Sequence, residues 1–282
     1  MTRSTAAPSL DGTPIKLGKV TLQVAHSPGK SPAIVFVHGG LGSRLNWCLQ
    51  WDYFQAQGQE ILTYDLAGHG QSERYSRYSV GRHRRDLTRL IDHFKLHRPI
   101  LCCHSYGVPV GLEWAKRHAA TALIAIGGGT HNLTPWWEIP LIKFFAIGGH
   151  HVYRWQLVQE LLRSLMVADQ NEALAQFHDR NTAPSDAHPY EAIEAFWGYN
   201  GQHHPLKCPV TVITGGDDPM FPPAMGHEWL ANLLQDQPQS QHITVPNVGH
   251  LVMAEAPEVV NQAISDWIDH SLNDSRINST ET

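Results

Sequence analysis

The run Ile100-Leu101-Cys102-Cys103-His104-Ser105-Tyr106-Gly107 constrains this chain more than any other stretch. Its apolar start, just after Arg98-Pro99, reads as a short buried strand, and Val108 to His118 reads as a helix. One serine therefore stands at a sharp strand-to-helix turn, the geometry that lifts a nucleophile above the end of a sheet. Strand and helix approach closely at such a turn, so the serine's neighbours must be small. Gly107 meets that need on one side of Ser105, while Cys103 stands on the other side where glycine would be least bulky. A buried serine ending a strand is also commonplace, so the turn alone leaves the reading open.

Other strand ends add to it. Ala33-Ile34-Val35-Phe36-Val37 reads as a buried strand running into His38-Gly39-Gly40. Glycines there let backbone N–H groups face a neighbouring oxyanion, which acyl transfer needs beside a serine. Ile61 to Tyr64 runs into the acidic, glycine-punctuated turn Asp65-Leu66-Ala67-Gly68-His69-Gly70. Val210 to Ile213 runs into Gly215-Gly216-Asp217-Asp218, and His242 to Val245 leads to Asn247-Val248-Gly249-His250. A serine, an acid and a histidine thus follow three strands in that order. A serine hydroxyl needs a base within hydrogen-bond reach, and histidine can take and return a proton near neutrality. A carboxylate behind the histidine fixes its tautomer and stabilises the imidazolium.

Strands alternate with helical patterns, as expected of a mostly parallel sheet with helices on both faces. Lys16 to His26 reads as an antiparallel opening, and helices are expected over Leu45–Gln57, Ser79–Leu96, Pro223–Leu234 and Pro257–His270. Leu87, Leu90, Ile91 and Phe94 carry the three- and four-residue spacing of an amphipathic helix, and the polar chain after Asn273 is expected to fray. Between 130 and 207 the alternation stops. The reading is one core domain (1–129 and 208–282) carrying a helical insertion (130–207). Within the insertion, Trp136-Trp137 through Phe144-Phe145 to Ile147 is too short to span a bilayer and too apolar for a solvated helix. A substrate-facing wall is favoured for it, with buried core and membrane-surface contact as alternatives.

Composition narrows the chemistry. The net charge is −5, from 21 basic and 26 acidic residues, without a long basic run, which argues against nucleic-acid binding. Arg82-His83-Arg84-Arg85 reads as the solvated face of a helix. The N-terminus shows no apolar signal core, and the 4 cysteines form no disulfide or zinc pattern, so a cytoplasmic setting is expected. The 19 histidines include adjacent pairs but no H-E-x-x-H or H-x-H spacing. No metal and no cofactor is expected, and most of these histidines are expected on the surface.

The sequence resembles the α/β-hydrolase family from about Gly18 to about His270, most of all the α/β-hydrolase-domain-containing members with ester or lipid substrates. Ser, acid and His occur here in that family's chain order. The resemblance implies an α/β-hydrolase fold, with a mostly parallel eight-stranded sheet flanked by helices and a helical lid over the serine. It implies Ser105, His250 and Asp218 as nucleophile, base and acid. Asp218 is preferred to Asp217 because family members place the acid four residues before a proline, here Pro222. The oxyanion hole would be the N–H groups of Tyr106 and Gly40, with Leu41 the alternative to Gly40. His38, Gly39, Leu41, His104, Trp136, Trp137 and Phe145 are candidates for lining the substrate site. The expected activity is hydrolysis of a carboxylic ester, thioester or acylglycerol with an apolar acyl group. Alternatives on the same triad are a lyase, perhydrolase or C–C bond hydrolase, or a ligand-binding protein with little turnover.

Overall fold

The computed structural model describes residues 9–129 and 205–280 and, between them, 140, 167–168, 172–180, 194–196, 199 and 201. The lid reading and its residues Trp136, Trp137 and Phe145 lie outside the described residues.

Eight strands form one sheet: β1 (Thr13–Leu17), β2 (Val20–Ser27), β3 (Lys30–Val37), β4 (Gln59–Tyr64), β5 (Ile100–His104), β6 (Ala122–Ile126), β7 (Val210–Gly215) and β8 (Gln241–Val245). Their order is β1-β2-β4-β3-β5-β6-β7-β8. β1 and β2 pair antiparallel, as does β2 with β4, and every pairing from β4 to β8 is parallel. β5, β6 and β7 are buried throughout, as strands covered on both faces must be.

Alternation along β3 divides the core in two. Val35 and Val37 join Leu62, Leu101 and Val210 under α2 (Val80–His93) and α3 (Gly107–Ala115). Ile34 and Phe36 join Ile61, Ile124 and Ile213 under α1 (Cys48–Ala56) and α7 (Pro257–Thr280). Each such side chain contributes roughly 1.5–3 kcal/mol on full burial. Among the described residues, further helices are α4 (Glu172–Arg180), α5 (Pro223–Leu233) and α6 (Val252–Glu255). Cys102 and Cys103 point into opposite cores, and all four cysteines are free and buried.

Several details depart from the sequence reading. Helix 45–57 opens as a 3-10 turn, Arg44–Trp47, closed by a capping box between Ser43 and Asn46. The last helix continues through Thr280, past the point where fraying was expected. Among the basic run of α2, Arg85 is exposed, but His83 is fully buried. His38, His69, His104 and His250 are buried as well.

Candidate active site at the C-terminal edge of the sheet

Parallel strands bring their C-terminal ends to one edge, and this is where Ser105, Asp218 and His250 meet. Ser105 follows β5 with φ +49°, a left-handed conformation that costs a non-glycine residue of order 1 kcal/mol or more. Hydrogen bonds hold it there: its N–H donates to the Ile126 carbonyl at 2.8 Å, and its own carbonyl accepts from Val108 N–H at 2.9 Å as α3 begins. Gly107 is required by space, since a Cβ would lie 2.6 Å from the carbonyl oxygens of Val37 and His38.

Asp218 follows β7. Its Oδ1 accepts from the N–H groups of Met220 (2.8 Å) and Phe221 (3.0 Å), while Oδ2 lies 2.9 Å from His250 Nδ1. A carboxylate only accepts, so Nδ1 carries the imidazole proton and Nε2 presents its lone pair. That lone pair faces Ser105 Oγ at 3.0 Å. Burial pushes the Asp218 carboxyl up, but the hydrogen bond and charge of His250 and the two backbone donors outweigh it and hold the group below the ordinary value. Asp217, its rival in the sequence, is exposed.

Three glycines, Gly127, Gly128 and Gly129, follow β6 beside these groups. Gly127, at φ +55°, leaves room where a Cβ would lie 3.0 Å from His250 Cε1 and 3.3 Å from Asp218 Oδ2. The His38–Leu41 turn lies beside the serine, because a Cβ on Gly39 would lie 3.0 Å from Ser105 Cβ. Leu41 reverses the chain there at φ +60°. His38 itself is fully buried: its Nε2 accepts from Leu66 N–H at 2.9 Å, so Nδ1–H donates to the Gly39 carbonyl at 2.7 Å. His104 is also turned inward, with Nε2–H donating to the His250 carbonyl at 3.0 Å. Burial lowers His38 to about 4 and His104 to about 3, so both stay neutral at neutral pH.

Residues 34–263 match the family described as the alpha/beta hydrolase family. The chain belongs to that family. A Pseudomonas putida relative, the dihydrolipoyllysine-residue acetyltransferase component of an acetoin cleaving system, is 28% identical over 81% of this chain, which spans 61% of that relative's length. The mouse sn-1-specific diacylglycerol lipase ABHD11 is 26% identical over 84% of this chain and 81% of its own. Among solved folds, the Exiguobacterium antarcticum esterase EaEST superposes with TM-score 0.76 at 15% identity, covering 92% of this chain and 99% of that one.

Two elements of this alpha/beta hydrolase site escape a motif search. Cys103 fits the elbow because α3 carries Gly111 opposite it, where a Cβ would lie 2.5 Å from Cys103 Sγ. The second is a buried pair behind the His38–Leu41 turn. Arg44 Nη1 meets Asp65 Oδ2 at 2.6 Å, and Arg44 N–H donates to Asp65 Oδ1 at 2.7 Å. Arg44 thus ties the turn after β3 to the turn after β4, and Gln71 N–H braces Asp65 Oδ2 within the latter at 2.8 Å. Buried partners were the missing signal, and only the strand-end position of Asp65 hinted at it.

Proposed function

We propose that this alpha/beta hydrolase cleaves carboxylic esters with an apolar acyl group through Ser105, His250 and Asp218. The observation that carries the reading is the unbroken hydrogen-bond chain from Ser105 Oγ to His250 Nε2 and from His250 Nδ1 to Asp218. In this reading Ser105 Oγ attacks the ester carbonyl while His250 Nε2 takes its proton. The oxyanion is held by the N–H groups of Tyr106 and Gly40, each donor worth roughly 10²–10³ in rate. The tetrahedral adduct collapses, His250 returns the proton to the leaving alkoxide, and an acyl-serine remains. Water then repeats the cycle with the same base and releases the acid.

The inward-turned His38 and His104 shape the site rather than touch substrate, and Gly39 admits the close approach to Ser105. The segment 130–207 is proposed as a lid over the serine, with Trp136, Trp137 and Phe145 on its acyl-facing wall. A lipid-like ester suits that wall, and the similarity to a diacylglycerol lipase favours it. Four buried free thiols fit a reducing, cytoplasmic setting. Among the described residues, no helix is long and apolar enough to cross a membrane.

The test is turnover of nitrophenyl esters of rising chain length. Burst release followed by steady hydrolysis supports an acyl-enzyme, whereas binding without turnover would favour a ligand-binding protein instead.

A further inference from the structure

The backbone that carries His250 is gripped at three successive residues. Asp217 N–H donates to the Val248 carbonyl at 3.0 Å, and His104 Nε2–H donates to the His250 carbonyl at 3.0 Å. Between them, the Gly249 N–H donates to both carboxylate oxygens of Glu255, at 3.1 Å each. Gly249 has no freedom to shift the other way, because its carbonyl oxygen packs where a Cβ on Gly215 would lie 2.0 Å away.

Glu255 ends α6 and is buried at 5% exposure. Its Oε2 also accepts from the N–H of Ala168 at 2.8 Å. One carboxylate therefore bridges the base's own backbone and a stretch of chain remote in sequence. The bridge sits on a shared core: Leu174 and Phe177 of α4 pack with Val252 and Met253 of α6, and Val167 joins them. α6 is fixed from the other side by Gln50, whose Nε2 donates to the Met253 carbonyl at 2.9 Å.

We propose that Glu255 is a positioning residue that transmits the placement of Ala168 to His250, and so sets how well the imidazole faces Ser105. The proposal rests on the hydrolase reading above. Movement of Ala168 away from Glu255 removes the hydrogen bond that holds Oε2 from that side, and the carboxylate can then turn relative to Gly249. The imidazole loses its alignment as the Gly249–His250 peptide relaxes. Substrate contact that shifts Ala168 would thereby tune proton transfer at the base.

The experiment compares wild type with Glu255→Gln, Ala168→Pro and the double variant. Glutamine keeps the volume but has one accepting oxygen, and proline removes the residue 168 donor without touching the base loop. The readouts are kcat and KM for a nitrophenyl ester, the rate of fluorophosphonate labelling, and thermal stability. Glu255→Gln should lower kcat and the labelling rate by about ten- to a hundredfold, as small misplacements of catalytic groups do, with KM little changed. Ala168→Pro should lower kcat in the wild-type background and do nothing further in the Glu255→Gln background, since both act through one contact. Full kcat in folded Glu255→Gln, or additive losses in the double variant, would overturn the proposal. If Glu255→Gln does not fold, a folded Ala168→Pro with wild-type kcat overturns it and a lowered kcat at unchanged KM supports it. A wild type that neither labels nor hydrolyses overturns the hydrolase reading and this one together, an outcome distinct from an active enzyme indifferent to Glu255.

Discussion

Gly111 of α3 stands directly over Cys103 of β5, so near that a Cβ on the glycine would lie 2.5 Å from the cysteine sulfur. Strand and helix meet at the elbow with the bulk moved from one to the other. The usual small residue before the serine is absent, and the helix supplies the missing space one turn later.

Gly111→Ala should therefore destabilise the fold. Alanine gains up to about 1 kcal/mol of helix propensity over glycine, but overpacking a filled core costs typically about 1–3 kcal/mol. A net loss of up to about 2 kcal/mol is expected by urea unfolding. Adding Cys103→Ala should recover most of it by removing the sulfur, and a double variant no more stable than Gly111→Ala would contradict the packing argument.

Asp218→Asn should lower kcat by roughly 10⁴, the loss seen when a triad carboxylate no longer sets the histidine tautomer. Asp217→Asn should change it little, because that side chain is exposed. Steady-state kinetics on both variants decide between neighbours, and reversed losses would move the acid to Asp217.

Buried neutral histidines make the fold acid-sensitive. His69 and His83 are each lowered by burial to about 3, and His38 to about 4. Unfolded histidine titrates near 6.5, so below that pH the unfolded chain binds more protons. The stability from these groups is present above about pH 6.5 and is lost as pH falls toward 4. His83 is the cleanest probe: it lies between the rings of Tyr78 and Phe196, and neither ring nitrogen has a hydrogen-bond partner among the described residues. His83→Phe should leave Tm near neutrality unchanged or higher and flatten its fall between pH 6.5 and 4. An unaltered slope would place the acid sensitivity elsewhere.

Much of this architecture was legible beforehand, because buried parallel strands announce themselves as apolar runs ending in glycine, acid or histidine. Strand order along the sheet follows the chain from β5 onward, and Ser105, Asp218 and His250 each stand past a strand end. What the sequence concealed depends on partners remote along the chain. Nothing near His83 signals that it is buried rather than solvated, since its neighbours Arg82, Arg84 and Arg85 suggest a wet face. Both ring nitrogens of His38 and Nε2 of His104 meet backbone atoms, which nothing in their motifs signals. Glu255 carries no motif of its own, and its meaning comes from Gly249 and Ala168.

The proposed acyl wall has its own test in chain length. Each methylene removed from water is worth about 0.8 kcal/mol. kcat/KM should thus rise by up to about fourfold per added carbon until the pocket is full. Trp137→Ala or Phe145→Ala should flatten that rise more than it slows an acetate ester. Lower thermal stability with the slope unchanged would instead make those rings structural core.

The most direct test of the whole account is covalent labelling of the nucleophile. Wild type treated with a fluorophosphonate should gain one adduct by intact mass, and peptide mapping should place it on Ser105. Ser105→Ala should take up none and should lose ester turnover by several orders of magnitude, down to the residual rate of binding and oxyanion stabilisation. An adduct on another serine, or turnover that survives in Ser105→Ala, would contradict the assignment of Ser105 as the attacking group.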